Sequence, residues 1–392
     1  MITIEKAINT VKSNIKPLLK EASKSIEKSG GYKLSQNVTS PINMPPFRQS
    51  AMDGYALCLH ESLEYNLIGE IKAGDQHQPI LKQGEAVRIF TGAAVPDSAN
   101  AVMMQEKVVR NGNSISVEHQ IGLEHNIRPL GEQVKIGDVA LKKGTKLTPA
   151  AIGFLTSLGI TEVLVYKKPS IALITTGNEL VEAGEPLVYG KIYESNSKML
   201  LNALYSLKFY DVTIHKIEDD YTQTKNKLET VINDNDLVIA TGGISVGDYD
   251  FVGKALKELQ VEEVFYKVKQ KPGKPLFFGK KENTVIFALP GNPAAALSCF
   301  YVYVYIALQK MMNKNTIELP RIKAKSISTF EKKGDRPQFL KAIYSEGEVK
   351  ILEGQNSSML QTFALSNALV FVPGDVSSIN INDEIEVILL PI

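Results

Sequence analysis

The spacing of apolar residues changes character along the chain, and each change predicts a different kind of element. Ile4, Ala7, Ile8, Val11 and Ile15 recur at helical intervals and stop before Pro17. Residues 20–28 are charged and read as either a further helix or a solvated connection. Between residues 67 and 119 the apolar positions come in short runs parted by Gly and Asn, clearest at 86–91 and 101–104, which predicts a small β domain. Thr148, Pro149 and Gly159 then bracket an apolar run with an N-cap residue, a proline at the first helical position and a terminal glycine, so a helix is expected over 150–158. With helical segments on both sides, the β-rich stretch has the form of an inserted domain whose flanking pieces pair in space.

From Pro169 onward strands and helices alternate. Strands are expected at 171–175, 212–217, 237–240 and 284–289, and helices at 195–207, near 221–232, after Asp250 and from 294 to about 312. This alternation implies a parallel sheet covered on both faces. In such a sheet the loops after the strands open on one edge, so those at Thr176, Asp219, Gly242 and Pro290 are expected to gather at one rim. Beyond Arg321 helical periodicity is lost, and short runs at 323–328, 368–372 and 384–389 suggest a small β-barrel or sandwich. The expected fold class is multidomain α/β. A discontinuous N-terminal helical and linking domain (1–40 and 131–168) would hold a β-rich inserted domain (41–130), followed by an α/β domain (169–318) and a C-terminal β-barrel domain (319–392).

The predicted rim carries the candidate chemistry. After the 237–240 strand, side-chain bulk disappears at Gly242-Gly243, where positive φ is cheap, and a helix follows. Strand, glycine loop and helix bare backbone N–H groups that suit a phosphate. Ser245 adds a hydroxyl, while Asp248 and Asp250 add carboxylates that repel a bare phosphate but suit one carrying a divalent cation. The plainer reading is a tight turn with aspartates capping the helix. Lys267, Lys269, Lys271 and Lys274 form either a solvated face or a set of point charges for an anion. Further back, Asp53-Gly54 signals an Asx-turn, and Thr91-Gly92 ends a strand as either a turn or a hydroxyl donor.

Composition narrows the function classes. In 392 residues, 44 Lys+Arg against 43 Asp+Glu leave a formal charge of +1, so no polybasic footprint argues for nucleic acid. Cys58 and Cys299 are isolated and the five histidines are scattered, which offers neither a disulfide framework nor zinc-ligand spacing. Neither a membrane-spanning apolar run nor a signal-peptide core is apparent, and a cytoplasmic protein is the expectation.

With these residues in hand, the chain resembles the molybdopterin molybdenumtransferase family, which includes bacterial MoeA and the E domain of gephyrin. The resemblance rests on Pro45-Pro46-Phe47, Ser50-Ala51-Met52-Asp53-Gly54-Tyr55-Ala56, Arg88-Ile89-Phe90-Thr91-Gly92, Thr176-Gly177-Asn178-Glu179-Leu180, the Gly242 to Asp250 loop, Lys271-Pro272-Gly273-Lys274-Pro275 and Leu289-Pro290-Gly291-Asn292-Pro293. It implies a molybdopterin-binding α/β domain and a homodimer whose cleft borrows groups from both chains. The implied reaction takes adenylylated molybdopterin and molybdate, with Mg²⁺, to molybdenum cofactor and AMP. Asp53, Thr91, Glu179 and Asp250 fall on catalytic positions. Glu179, Asp219, Asp220, Asp248 and Asp250 are the carboxylates expected around the metal. Gly242, Gly243, Ser245, Lys267, Lys271, Lys274, Pro290, Pro293, Arg336 and Ser358 form the expected substrate-binding set, with Lys271, Lys274, Arg336 and Ser358 matched to molybdate. The molybdopterin adenylyltransferase and molybdoenzyme-maturation proteins are the implied further partners.

Three positions depart from the family pattern: Gln133 stands where Asp is frequent, Arg48 where Asp or Asn is usual, and Ala295 where Ser is frequent. Two competing readings remain at this stage, the adenylyltransferase step itself and a scaffold that keeps the fold without turnover. The extra domains count against the first, and the set of Asp53, Glu179, Asp250 and lysines against the second.

Overall fold

A computed structural model describes residues 1–244 and 251–392. The chain divides into two units, Met1–Leu19 with Lys168–Ile392, and Lys20–Lys167.

In the larger unit, strands Val212–Ile217, Ile171–Thr176, Leu237–Thr241 and Thr284–Leu289 lie side by side in that order and run parallel. The last three are buried along their whole length, as strands covered on both faces must be. Alternate residues divide between two cores. Ile171, Leu173, Leu237, Ile239, Val285 and Phe287 face one, and Ala172, Ile174, Val238, Ala240, Ile286 and Ala288 face the other. Beyond the parallel strands, Phe277–Lys281 and then Glu262–Tyr266 extend the sheet antiparallel. The connection from Phe277–Lys281 to Thr284–Leu289 is only Glu282-Asn283, too short for the crossover that parallel pairing needs.

The N-terminal helix Ile4–Asn14 buries Ile4, Ala7, Ile8 and Val11 in this unit's first core. It therefore groups with this unit and not with residues 20–40, where the sequence had put it, because its apolar stripe has its packing surface here. Residues Pro293–Met311 form one apolar helical segment, 89% buried over its most apolar window, in the same core. The single helix expected there is interrupted by a π-helical stretch, Phe300–Val304.

Five strands close the C-terminal region into a barrel, in the order Arg321–Ser326, Glu348–Ile351, Gln338–Ser345, Ala368–Val372 and Glu384–Leu389. The last pairs back onto the first, which decides between barrel and sandwich.

In the smaller unit, Gly54–Leu57, Glu64–Ile71, Glu85–Ile89, Ala101–Met104, Val108–Asn111 and Ser114–Val117 form a six-stranded sheet. Glu21–Ser25 is a strand, neither the helix nor the loose connection expected for residues 20–28, because it pairs antiparallel with Glu162–Tyr166 from the far end of the unit. Val38–Thr39 meets Val139–Leu141 in the same way. Helix Pro149–Ser157 starts on Thr148, whose hydroxyl accepts from Ala151 N at 3.2 Å.

Candidate active site

The loops after the parallel strands touch one another. Asn178 and Asp219 exchange two hydrogen bonds, with Asn178 N donating to Asp219 Oδ2 and Asp219 N to Asn178 Oδ1, both at 3.0 Å. Gly242 and Gly243 have φ of 83° and 59°, and a Cβ on Gly242 would stand 2.8 Å from Thr176 O. Glycine is thus required both for the backbone turn and for close approach to the neighbouring strand. The Gly291 loop is next in line, 3.7 Å from Gly242 Cα at its Cβ position, and is held by Asn196 Nδ2 donating to Gly291 O at 2.8 Å. Beneath the glycines, Thr176 is 7% exposed and its Oγ1 has no hydrogen-bond partner among the described residues.

The rim carboxylates differ in how free they are. Asp220 accepts from Gln223 N at 2.7 Å and caps helix Tyr221–Asp234, so its oxygens are partly committed to the fold. Asp219 spends one oxygen on Asn178. Glu179 is exposed, with its carboxylate folded against Gly177. Ser245, Asp248 and Asp250 lie outside the described residues. Among those that are described, no three His, Cys, Asp or Glu side chains converge as a metal set. Glu179 and Asp219 supply only hard oxygen donors, the type that suits Mg²⁺.

A second group of residues meets the rim from the barrel side. The Lys271–Lys274 turn is braced from below by Gln270, 1% exposed, whose Nε2 donates to Gly273 O at 2.9 Å and whose Oε1 accepts from Tyr303 Oη. Tyr303 comes from the π-helical stretch, inside the segment expected as one regular helix. Gly273 has φ of 78° and packs on buried Cys299, whose thiol burial pushes up to about 12 and so keeps protonated. Lys271 and Lys274 are left exposed at the two ends of this turn. Its backbone joins the barrel through Lys271 N donating to Pro337 O and Phe339 N to Lys271 O, both at 2.9 Å, while Arg336 Nη1 donates to Gln270 O at 3.4 Å. A second barrel loop reaches the Pro290–Pro293 corner: Ala295 N donates to Ser357 O at 3.2 Å, and Asn292 Nδ2 to Ser357 Oγ at 2.8 Å. Ser358 follows, exposed. At Ala295 the backbone amide makes this contact, and a side-chain hydroxyl is not needed for it.

Lys267 is joined to the other lysines' turn through the next residue, Val268, whose N donates to Lys274 O at 3.0 Å. Its ammonium lies 4.7 Å from the Tyr266 ring centroid, and Tyr266 Oη donates to Ile244 O at 2.6 Å, so this lysine borders the glycine loop. Asn292, Gln270, Tyr303 and Ser357 were missed by sequence reasoning. The first was legible only as part of the Pro-Gly-Asn-Pro motif, and the others carry no local signal.

In the smaller unit Asp53 and Thr91 form one device. Asp53 Oδ1 accepts from Thr91 N at 2.7 Å and from Thr91 Oγ1 at 2.8 Å. The two bonds, and then the nearby Arg88 charge, hold the Asp53 carboxyl below its usual range although it is exposed. Bonding to a residue 38 positions on is a link between loops, which replaces the Asx-turn alternative. Arg88 is fixed in turn by donation to Gly54 O at 2.7 Å and by the faces of Tyr55 and Phe90. Arg48 binds Ala99 O and Glu124 Oε1, both at 3.0 Å, so that departure from the family pattern is absorbed in local structure.

Comparison with known proteins covers nearly the whole chain. Residues 2–159 match the MoeA N-terminal region (domains I and II), 172–310 a probable molybdopterin-binding domain, and 323–390 the MoeA C-terminal region (domain IV). A molybdopterin molybdenumtransferase of Haemophilus influenzae is 34% identical, with 90% of each chain covered. One from Staphylococcus epidermidis is 30% identical over 99% of this chain and 95% of its own. A crystal structure of the molybdopterin biosynthesis MoeA protein of Pyrococcus horikoshii superposes with a TM-score of 0.82 at 28% identity, covering 99% of both chains.

Proposed function

Because the chain belongs to the molybdopterin molybdenumtransferase family, we propose that this transferase inserts molybdenum by bringing adenylylated molybdopterin and molybdate together at the rim. The pyrophosphate of the pterin substrate rests on the backbone N–H groups of the Gly242-Gly243 loop and on Ser245, with Lys267 at its edge. Molybdate, a dianion, sits among Lys271, Lys274, Arg336 and Ser358, which supply ammonium, guanidinium and hydroxyl donors. Pro290 and Pro293 shape the corner between the two groups. Glu179, Asp219, Asp248 and Asp250 are the carboxylates that would hold Mg²⁺, and Asp220 mainly caps its helix. When bound, Mg²⁺ would neutralise phosphate charge. The protein's own residues orient the two anions and let their charges approach, as the cleavage that releases AMP requires. A homodimer is part of this reading, with the pre-set Asp53–Thr91 pair of one chain serving the rim of the other.

The observation that carries the proposal is that the Ser357 loop meets the Pro290–Pro293 corner beside the glycine loop, while the Lys271–Lys274 turn, which Arg336 joins through Gln270 O, lies against the helix that begins there, a Cβ on Gly273 standing 3.6 Å from Ala295 O. The test is AMP release from adenylylated molybdopterin, which should depend on added molybdate. Lys274→Gln should raise the molybdate concentration for half-maximal rate about tenfold, the usual scale for one charge-assisted contact, with pterin affinity nearly unchanged. If only the pterin nucleotide binds more weakly, the pocket belongs to a different ligand.

A further inference from the structure

Strand Gln338–Ser345 carries one charged side chain into the protein interior, Lys341, which is 3% exposed. Its ammonium donates to three backbone carbonyls of a single loop, Gly354 O at 2.9 Å, Asn356 O at 3.1 Å and Met359 O at 3.2 Å. No carboxylate pairs with it among the described residues. A buried cation without a counter-charge is costly, and an apolar residue would ordinarily pack there at lower cost. The geometry explains the charge. An irregular loop that turns three carbonyls toward one point needs three diverging donors, and among side chains the lysine ammonium supplies them from a single atom. Gln355 strengthens the tie, with Lys341 N donating to its Oε1 and its Nε2 donating to Lys341 O, both at 2.9 Å.

The same loop presents its other side to the rim. Ser357 lies between the second and third of the tied carbonyls, and it is Ser357 that meets Asn292 and Ala295 N. We infer that Lys341 is a positioning residue, whose buried ammonium, on the face of its strand turned away from the barrel core, fixes the loop that holds Ser357 and Ser358 at the anion site. It touches no substrate and acts through the two serines. This inference rests on the proposed molybdate site, and it adds a determinant that lies behind it.

Two readouts test the inference in the full-length protein. In Lys341→Met, hydrogen exchange of amides 353–359 without substrate should quicken about tenfold or more, because the carbonyl tie is lost. The molybdate KM should rise about tenfold while kcat at saturating molybdate stays within about threefold, and Lys341→Arg, which keeps charge and several donors, should recover most of the KM. Unchanged exchange, or faster exchange with an unchanged KM, overturns the inference. Lys274→Gln run alongside separates its failure from that of the site: a KM raised by Lys274→Gln alone sinks the role of Lys341, whereas a KM moved by neither variant sinks the site reading. Should Lys341→Met fail to fold, Ser357→Ala cuts the same chain of contacts at the rim, and an unchanged molybdate KM in that variant overturns the inference equally.

Discussion

At Gly273 two separate constraints demand glycine, and they can be pulled apart. The residue has φ of 78°, and a Cβ there would lie 2.4 Å from Cys299 Sγ. Gly273→Ala should therefore cost about 2–4 kcal/mol, from left-handed strain and overpacking together. Cys299→Ala in the same chain makes room for the methyl but leaves the backbone strain. Denaturant melts of the single and double variants should show that the double variant recovers part of the loss, so the two changes will not add. Simple additivity would mean that the thiol does not set the limit at this turn. Lys271 and Lys274 flank the glycine, so the loss should be accompanied by a weaker response to molybdate.

Among the elements, the π-helical stretch Phe300–Val304 is the one whose irregularity reaches the site. It places Tyr303, itself fully buried, so that its hydroxyl donates to Gln270, and Gln270 in turn holds Gly273 O. Tyr303→Phe keeps the ring and removes the donor. That leaves the Gln270 oxygen buried without its partner, at a cost of about 1–3 kcal/mol. The expected outcome is a lower melting temperature together with a raised molybdate KM. A stability loss with an untouched KM would mean that the brace serves only the core. The barrel joins the site at the same scale: Ser357 on one barrel loop meets Asn292 at the corner of the α/β sheet, and Arg336 on another meets Gln270 beside the lysine turn.

For the whole molecule the proposed homodimer makes a sharp prediction. Asp53 and the rim belong to different units of one chain, and the proposal assigns each rim the Asp53 of the other chain. Asp53→Asn and Asp250→Asn proteins should each be inactive. Mixed dimers of the two would hold one cleft with both lesions and one with neither, so roughly half of the wild-type activity per dimer should return. No recovery in dimers shown to be mixed would mean that each chain builds its own site.

Much of this protein was legible in one dimension because its signals are local. Periodicity marked the parallel strands and the capped helix at Thr148, since burial on a strand or helix follows a fixed repeat. The motifs marked Asp53, Thr91, the glycine loop and the Lys271–Lys274 turn, since each is a short run of residues with special backbone or charge. Tertiary structure alone decided the rest. Within residues 20–28, Glu21–Ser25 became a strand because its partner lies at 162–166, and no property of the segment itself encodes that pairing. The N-terminal helix joined the α/β unit because the matching apolar surface is there. Asp53 could be read as an Asx-turn until Thr91 was seen to satisfy it from another loop. Gln270, Tyr303, Ser357 and Lys341 look ordinary in the sequence. Their importance comes from hydrogen bonds between residues far apart in the chain, and such bonds depend on where atoms meet after folding, which the order of residues does not display.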